Sequence, residues 1–174
     1  MNNFDSVRLI IEKGADVNVS DNNGEIPLLL ACANYNSDII RLLIEKEADV
    51  NVSNGEGENP LILSCWNDNS DIIRLLIEKG ADVNVSDGNG VTPLILSCYK
   101  DNSDVVRLLI EKGADVNVID GNGDSPLILA CQKGNIDVVR LLIEKGADIN
   151  ASDMLKGPLL YGHVKMITVI FSDY

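Results

Sequence analysis

The chain has 174 residues and a formal net charge of −13, from 27 acidic and 14 basic side chains. Its apolar fraction of 45% excludes a disordered acidic polymer, and its 4% of aromatic residues predicts an aliphatic core. The pI of about 4.3 argues against nucleic acid and anionic membranes as partners, because an acidic surface repels both.

The sequence shows no signal for membrane insertion or secretion. No segment reaches the roughly 18 consecutive apolar residues that span a bilayer. Residues 1–5 have neither the basic nor the apolar region of a signal peptide. We therefore expect an intracellular, cytoplasmic protein that binds no membrane.

The sequence repeats with a period of 33 residues. Three residue types keep this spacing: Pro27, Pro60, Pro93 and Pro126; Cys32, Cys65, Cys98 and Cys131; Asn18, Asn51, Asn84, Asn117 and Asn150. A unit of this size cannot bury its own apolar face, so successive units must stack.

The first predicted element is a helix over residues 4–13. Alignment of Arg8 with Arg41 makes it the second helix of a unit that lacks its first. We predict a single domain over 1–174, with a partial repeat at 1–18, full repeats at 19–51, 52–84, 85–117 and 118–150, and a shortened repeat at 151–174. The bare first helix also leaves open that the chain is a fragment of a longer array.

Each full repeat is predicted to contain two helices. The first begins at the recurring proline, because proline at the first helical position loses no needed N–H group. Asn59, Thr92 and Ser125 precede three of these prolines and can cap the helix, whereas Ile26 cannot. The second helix begins near Asn-Ser-Asp and carries apolar residues at helical spacing.

The second helices are predicted to end at a left-handed residue, and this position is Gly14, Gly80, Gly113 or Gly146 in four units. Glu47 is the exception, and its Cβ is expected to cost about 1 kcal/mol there. Between units, Ala-Asp-Val-Asn leads into stretches such as Asp-Gly-Asn-Gly, which favour positive φ and predict a hairpin-like finger.

This pattern resembles the ankyrin repeat, D-x-x-G-x-T-P-L-H-x-A-A-x-x-G-H-x-x-V-V-x-L-L-L-x-x-G-A-D-V-N, nearly throughout from Asp5 to Ser152. The resemblance implies an all-α ankyrin-repeat solenoid of stacked helix-turn-helix units with hairpin-like loops. Four full repeats and partial repeats at both ends are expected. The sequence departs from the pattern at the histidine after Pro-Leu, which is Leu or Ile here, and at the glycine between the helices, which is Tyr35, Asp68 and Asp101 but Gly134 in the last full unit.

The C-terminal unit is predicted to be shortened. Pro158 is expected to begin a first helix that lacks about one turn, and an apolar second helix is expected over 164–171. That last helix is either a cap on the fourth full unit or an interface; the cap is favoured, because exposed apolar ends promote aggregation.

No catalytic, cofactor-binding or metal site is predicted. Equivalent positions of stacked repeats lie about 8–10 Å apart, too far for the roughly 7 Å that a disulfide allows or for ligands of one zinc ion. We interpret the cysteines as small buried residues. His163 is the only histidine and is expected to be a turn residue. Asp120-Gly-Asn-Gly-Asp124 begins like a calcium loop but lacks the glycine and glutamate that such a loop requires.

Function is therefore assigned to a surface. In the ankyrin family, partners usually contact a concave face of finger tips and first helices, and the residues that differ between repeats at those positions are the predicted contacts: Glu25, Glu56, Glu58, Trp66, Asn67, Asn89, Val91, Tyr99, Lys100, Asp124, Gln132 and Lys133. Trp66 and Tyr99 occupy the same position of adjacent repeats and are predicted to form a binding hot spot. The acidic residues of the set are expected to steer a basic partner.

Two classes of function follow from this interpretation. The first is a monomeric, non-catalytic protein-interaction module that presents a rigid concave face to a protein or peptide. The alternative is a regulator that inhibits a partner enzyme by covering it. A catalytic protein is disfavoured, because the chain has one histidine and no appended domain.

Overall fold

A computed structural model describes residues 3–21, 25–149, 152–153 and 157–158. The chain divides into two compact units, Met1–Asp82 and Val83–Tyr174. The helices of the first unit are α1 (Asn3–Glu12), α2 (Pro27–Ala33), α3 (Ser37–Glu45), α4 (Pro60–Trp66) and α5 (Ser70–Glu78), and those of the second are α6 (Pro93–Tyr99), α7 (Ser103–Glu111), α8 (Pro126–Lys133) and α9 (Ile136–Glu144). The predicted all-α repeat class is confirmed.

The first helix of each pair begins at its proline and is capped as predicted. The Asn59 side chain accepts a hydrogen bond from the backbone N–H of Ile62 at 2.8 Å, and the Thr92 hydroxyl accepts one from Ile95 at 3.3 Å. The Ser125 hydroxyl accepts a hydrogen bond from the backbone N–H of Ile128 at the start of α8. Ile26 makes no such bond at the start of α2, so that helix lacks a side-chain cap.

An asparagine caps the start of each second helix that follows a first helix, and the predicted left-handed residue lies two positions after the last helical residue. Asn69 accepts a hydrogen bond from the backbone N–H of Ile72, and the other second helices that follow a first helix are capped in the same way. Gly80 has a φ of 88° and Glu47 a φ of 64°. The predicted positive φ of Glu47 is therefore confirmed.

The core of each unit lies between the paired helices and is aliphatic, as the composition predicts. In the first unit α2 packs on both α3 and α4, and in the second α6 packs on both α7 and α8. The largest fully buried side chains include Leu61 and Ile72 in the first unit and Leu94 and Leu109 in the second. In each unit, a first helix therefore packs both on its own second helix and on the next first helix.

The end of the described chain differs from the prediction. β1 (Ser152–Asp153) and β2 (Gly157–Pro158) pair antiparallel, with Ser152 opposite Pro158. Pro158 therefore stands in a strand, and the prediction that it begins a helix is wrong. The pairing of Asp153 with Gly157 repeats the contact between Asp120 and Asp124 one period earlier, so this proline closes a finger. The predicted helix over 164–171 and His163 lie outside the described residues.

Among the helices that the structure describes, none is both long enough and apolar enough to cross a lipid bilayer. The longest of them, α1, has ten residues.

Candidate partner-binding surface

In the first two fingers of the second unit, a side chain at the base of the finger holds its backbone. Asp87 accepts hydrogen bonds from the backbone N–H groups of Asn89 and Val91 at 2.8 and 2.9 Å, and its own N–H donates to the Val91 carbonyl. Asp120 contacts the backbone of Asp124 in the same two ways. Sequence reasoning did not include these two acids in the site, although the 33-residue recurrence of Asp or Asn at this position was the signal for them.

The first two fingers of the second unit also contact each other. The backbone N–H of Gly121 donates a hydrogen bond to the carbonyl of Asn89 at 2.7 Å. A Cβ at position 121 would lie 3.1 Å from that oxygen, so a side chain there would require a shift of a few tenths of an ångström between the fingers. Asn89 thus contributes its backbone to the scaffold, and its side chain is exposed.

The fingers of the first unit place their acids in different environments. Asn54 accepts hydrogen bonds from the backbone N–H groups of Glu56 and Glu58, both at 3.0 Å, and donates to the Glu58 carboxylate at 2.9 Å. Glu58 is therefore fixed and half-buried, whereas Glu56 is exposed. Glu25 is half-buried, and its N–H donates to Asp21.

The predicted aromatic residues lie at the ends of first helices. Trp66 is the last residue of α4, in the first unit, and its exposed fraction is 43%. Tyr99 is the last residue of α6, in the second unit, and its exposed fraction is 49%. Each ring therefore offers apolar area to solvent, which is the property that a binding hot spot requires.

A cation contacts the exposed ring of the second unit. The ammonium nitrogen of Lys133 lies 4.8 Å from the centre of the Tyr99 ring, a distance that gives an attractive cation–π interaction. Gln132, at the position equivalent to Tyr99 in the next repeat, is exposed, and Lys100 is half-buried. The second unit therefore combines an aromatic ring with a basic group at this end of its first helices.

Asn67 has a structural contact that the sequence did not indicate. Its side-chain amide donates a hydrogen bond to the carbonyl of Cys32 at 2.8 Å and is half-buried. The amide therefore ties the end of α4 to the end of α2 within the first unit. A single sequence could not show this, since the varied positions of a repeat include residues that hold the scaffold.

The cysteines are buried, as predicted for small residues of the repeat core, and they are free thiols. Burial raises the pKa of Cys32 and of Cys98 to about 12, so both thiols are neutral at physiological pH and poor nucleophiles. Within the described ranges, no group of three or more His, Cys, Asp or Glu side chains is placed to hold a metal ion.

Comparison with known proteins agrees with the repeat geometry. A family model described as ankyrin repeats (3 copies) matches residues 1–87 and 84–153. No curated protein matches the chain. The matched residues include all nine helices described above and every predicted partner-contact residue.

Proposed function

The chain belongs to the ankyrin-repeat family, and on this basis we propose that it is a non-catalytic protein–protein interaction module. Ankyrin repeats are generally modules of this kind, and the family is typically non-catalytic. The proposed contacts are the predicted residues of the finger tips and first-helix ends.

One observation carries this proposal. The starts of α4, α6 and α8 are held by the same kind of side-chain cap, while equivalent surface positions carry different side chains: Trp66, Tyr99 and Gln132. All three are exposed. A rigid scaffold that displays exposed aromatic rings pays little conformational entropy on binding, which favours recognition of a protein surface.

The charges of the fingers support a basic partner. Glu56 is exposed, and Glu25, Glu58 and Asp124 are half-buried on the same class of loop. The net charge of −13 adds a long-range field of the same sign. We expect association with the partner to slow as ionic strength rises, because salt screens this steering.

The test identifies the partner through the proposed surface. A photo-crosslinking amino acid replaces Trp66 or Tyr99 in the chain expressed in its native cell, and Ile119, also exposed, serves as the matched position outside the proposed set. We expect one protein to crosslink from positions 66 and 99 and not from 119. Equal capture from all three positions would contradict the proposed surface.

The captured partner then allows a quantitative test. Trp66→Ala and Tyr99→Ala should each weaken binding at least tenfold by titration calorimetry, which is typical of aromatic hot spots. The control is Tyr35→Asn, because Tyr35 is an exposed aromatic outside the proposed set and asparagine tolerates its φ of 58°. An unchanged Kd for both alanine variants, with unchanged stability, would refute the assignment.

A further inference from the structure

Two lysines of the second unit break the periodic placement of the basic residues. Each second helix carries an arginine and is followed by a lysine at fixed positions, such as Arg107 and Lys112 at α7. Among the residues that the structure describes, only Lys100 and Lys133 are basic outside these two positions. They share one position of the repeat, where the first unit carries asparagine. The second unit therefore has cations at the ends of its first helices.

An aromatic ring, and not an acid, contacts the second of these lysines. The ammonium nitrogen of Lys133 lies 4.8 Å from the centre of the Tyr99 ring, which belongs to the preceding repeat. Within the described ranges no carboxylate forms an ion pair with Lys133, and the residue is exposed. A ring face offers no lone pair, so the ammonium keeps hydrogen-bond donors for an acceptor from outside.

The opposite charge lies at the other end of the same helix. Lys133 is the last residue of α8, and Asp124 lies in the finger directly before its cap. The eight residues of α8 separate the two charges by about 12 Å. The order is the same at α6, where Asp87 lies in the finger and Lys100 is the C-cap. Each first helix of this unit thus runs from an acidic finger to a basic end.

A purely structural role would account for only part of this arrangement. A cation at the end of a helix interacts favourably with the helix dipole. However, Gly134 already closes α8 in the left-handed conformation, with a φ of 75°. Across the described residues, the contact found for the Lys133 ammonium is with Tyr99 of the neighbouring helix. The ring therefore holds the charge at a surface that is exposed on both side chains.

We propose that Lys133, held over Tyr99, binds a carboxylate of the partner protein. This inference rests on the proposed interaction module and defines the charge order of its ligand. The ligand has an Asp or Glu at the end of α8 and a basic residue about 12 Å away, toward the finger. In a helical partner this spacing is about eight residues, and in an extended one about four.

Charge complementarity identifies the acid as a carboxylate. One ammonium offsets one negative charge, and the net charge of −13 disfavours a more highly charged group such as a phosphate. The Tyr99 ring, 49% exposed, can pack on an apolar residue next to that acid. A partner that is basic as a whole still fits, because this position requires one acidic residue only.

The test selects ligands before the natural partner is known. The probe is a phage-displayed library of random 16-residue peptides, which is panned against the full chain and against Lys133→Met. Methionine removes the charge and keeps an unbranched side chain that can contact the ring. The matched control is Lys112→Met, because Lys112 is also an exposed lysine of the second unit but lies at the position where lysine recurs. Peptides that Tyr99→Ala weakens are carried forward.

We expect the peptides that depend on Tyr99 to share an Asp or Glu at one position and to carry Lys or Arg toward one end. Changing that acid to its amide should weaken binding to the parent chain about fivefold, as for an exposed ion pair. The same change should leave binding to Lys133→Met unaltered, which in a double-mutant cycle shows a direct pair. Lys133→Arg should retain the affinity, and Lys133→Glu should select a basic residue at that position.

Three results would overturn the proposal. The first is a set of Tyr99-dependent peptides that share no acidic position. The second is an acid whose contribution to binding is the same with Lys133→Met as with the parent chain. The third is a Lys133→Met chain that binds the peptides as tightly as Lys112→Met does but melts at a lower temperature, since Lys133 would then act on the helix alone. A library that yields no Tyr99-dependent peptide would contradict the proposed surface as well as this inference.

Discussion

The side chain of Asn51 binds the backbone of Asp82, which lies 31 residues later in the chain. Its carbonyl oxygen accepts a hydrogen bond from the Asp82 N–H at 2.9 Å, and its amide nitrogen donates to the carbonyl of Gly80 at 3.1 Å. Asn84 and Asn117 repeat both contacts in the second unit. One side chain therefore joins the turn of its own repeat to that of the next.

We expect Asn51→Ala to lower the free energy of unfolding by about 1–2 kcal/mol, because it removes two hydrogen bonds between repeats. Asn18→Ala should cost less, since the Asn18 amide lies 3.5 Å from its carbonyl acceptor, Glu47, at the limit of a hydrogen bond. Urea denaturation measures both variants. A larger loss of stability for Asn18→Ala than for Asn51→Ala would show that these hydrogen-bond distances do not reflect the contributions of the two side chains to stability.

The left-handed end of α3 predicts a stabilising substitution. Glu47 has a φ of 64°, where a Cβ is unfavourable, so Glu47→Gly should raise the free energy of unfolding by about 1 kcal/mol. The reverse change at the equivalent position, Gly80→Ala, should lower it by a similar amount. A Cβ at Gly80 would meet no atom within 4 Å, so this control reports conformation alone. Thermal melting of both variants tests these expectations. An unchanged melting temperature for Glu47→Gly would contradict the prediction.

The turns between paired helices offer a second comparison. Tyr35 and Asp101 have φ values of 58° and 61°, and both replace the glycine of the family pattern. Tyr35→Gly should gain about 1 kcal/mol of stability by relief of strain. Asp101→Gly should gain less, because the Asp101 carboxylate accepts a hydrogen bond from the amide of Asn135 at 2.6 Å and the variant loses it. Calorimetric melting of the two variants should rank them in this order.

Much of the fold could be predicted from the sequence, because local chemistry fixes each element. The recurring proline and the polar residue before it determine where a first helix begins, as Thr92 and Pro93 show. The left-handed conformation of Glu47 followed from its alignment with glycines. Pro158 could not be placed in this way. Its residue type suggested a helix start, but Pro158 pairs with Ser152, only six residues earlier. It lies 32 residues after Pro126, one short of the period, and so falls at the position of Ser125, directly after a finger.

The surface was less predictable than the fold. Variation between repeats identified Trp66 and Tyr99 as exposed residues, which the structure bears out. The same criterion selected Asn67, whose amide holds the carbonyl of Cys32. It also passed over Ile10 and Leu30, which are 58% and 45% exposed, because their residue types fit the repeat pattern. Their exposure arises from which helices surround them, and no single position of a sequence records that.

The buried thiols predict slow chemical modification. Burial holds the pKa of Cys32 and Cys98 at about 12, well above the ordinary value of 9.0, so few thiolates form in the folded chain at pH 8. Alkylation by iodoacetamide should therefore be slow in the native protein and fast in urea. Fast native labelling at these two cysteines, located by mass spectrometry, would contradict the burial.

The same pKa values determine a pH dependence of stability. Between pH 9 and 12 the folded chain keeps these protons and the unfolded chain releases them, so unfolding is favoured as the pH rises. The contribution of the thiols to stability is complete below pH 9 and is lost above it. Cys32→Ala with Cys98→Ala should therefore flatten the decline of the melting temperature between pH 9 and 11, relative to the parent chain.

The side-chain caps of the first helices can be tested by removing one at α6 and adding one at α2. Thr92→Val keeps the shape of the side chain and removes the oxygen that accepts the N–H of Ile95, at a position that is buried. We expect a loss of about 1–2 kcal/mol in the free energy of unfolding. Ile26→Thr supplies the missing acceptor at α2, where the backbone already has the extended cap conformation, with φ −114° and ψ 140°.

Ile26→Thr should gain about 0.5–1 kcal/mol, reduced by the apolar area that the half-buried isoleucine gives up. Ile26→Val separates the two effects, since it loses apolar area without gaining an acceptor. Urea denaturation should therefore rank the chains with Ile26→Thr above the parent and Ile26→Val below it. If threonine and valine at position 26 have equal stability, the hydroxyl forms no cap, and the apolar contact of Ile26 is what orders the start of α2.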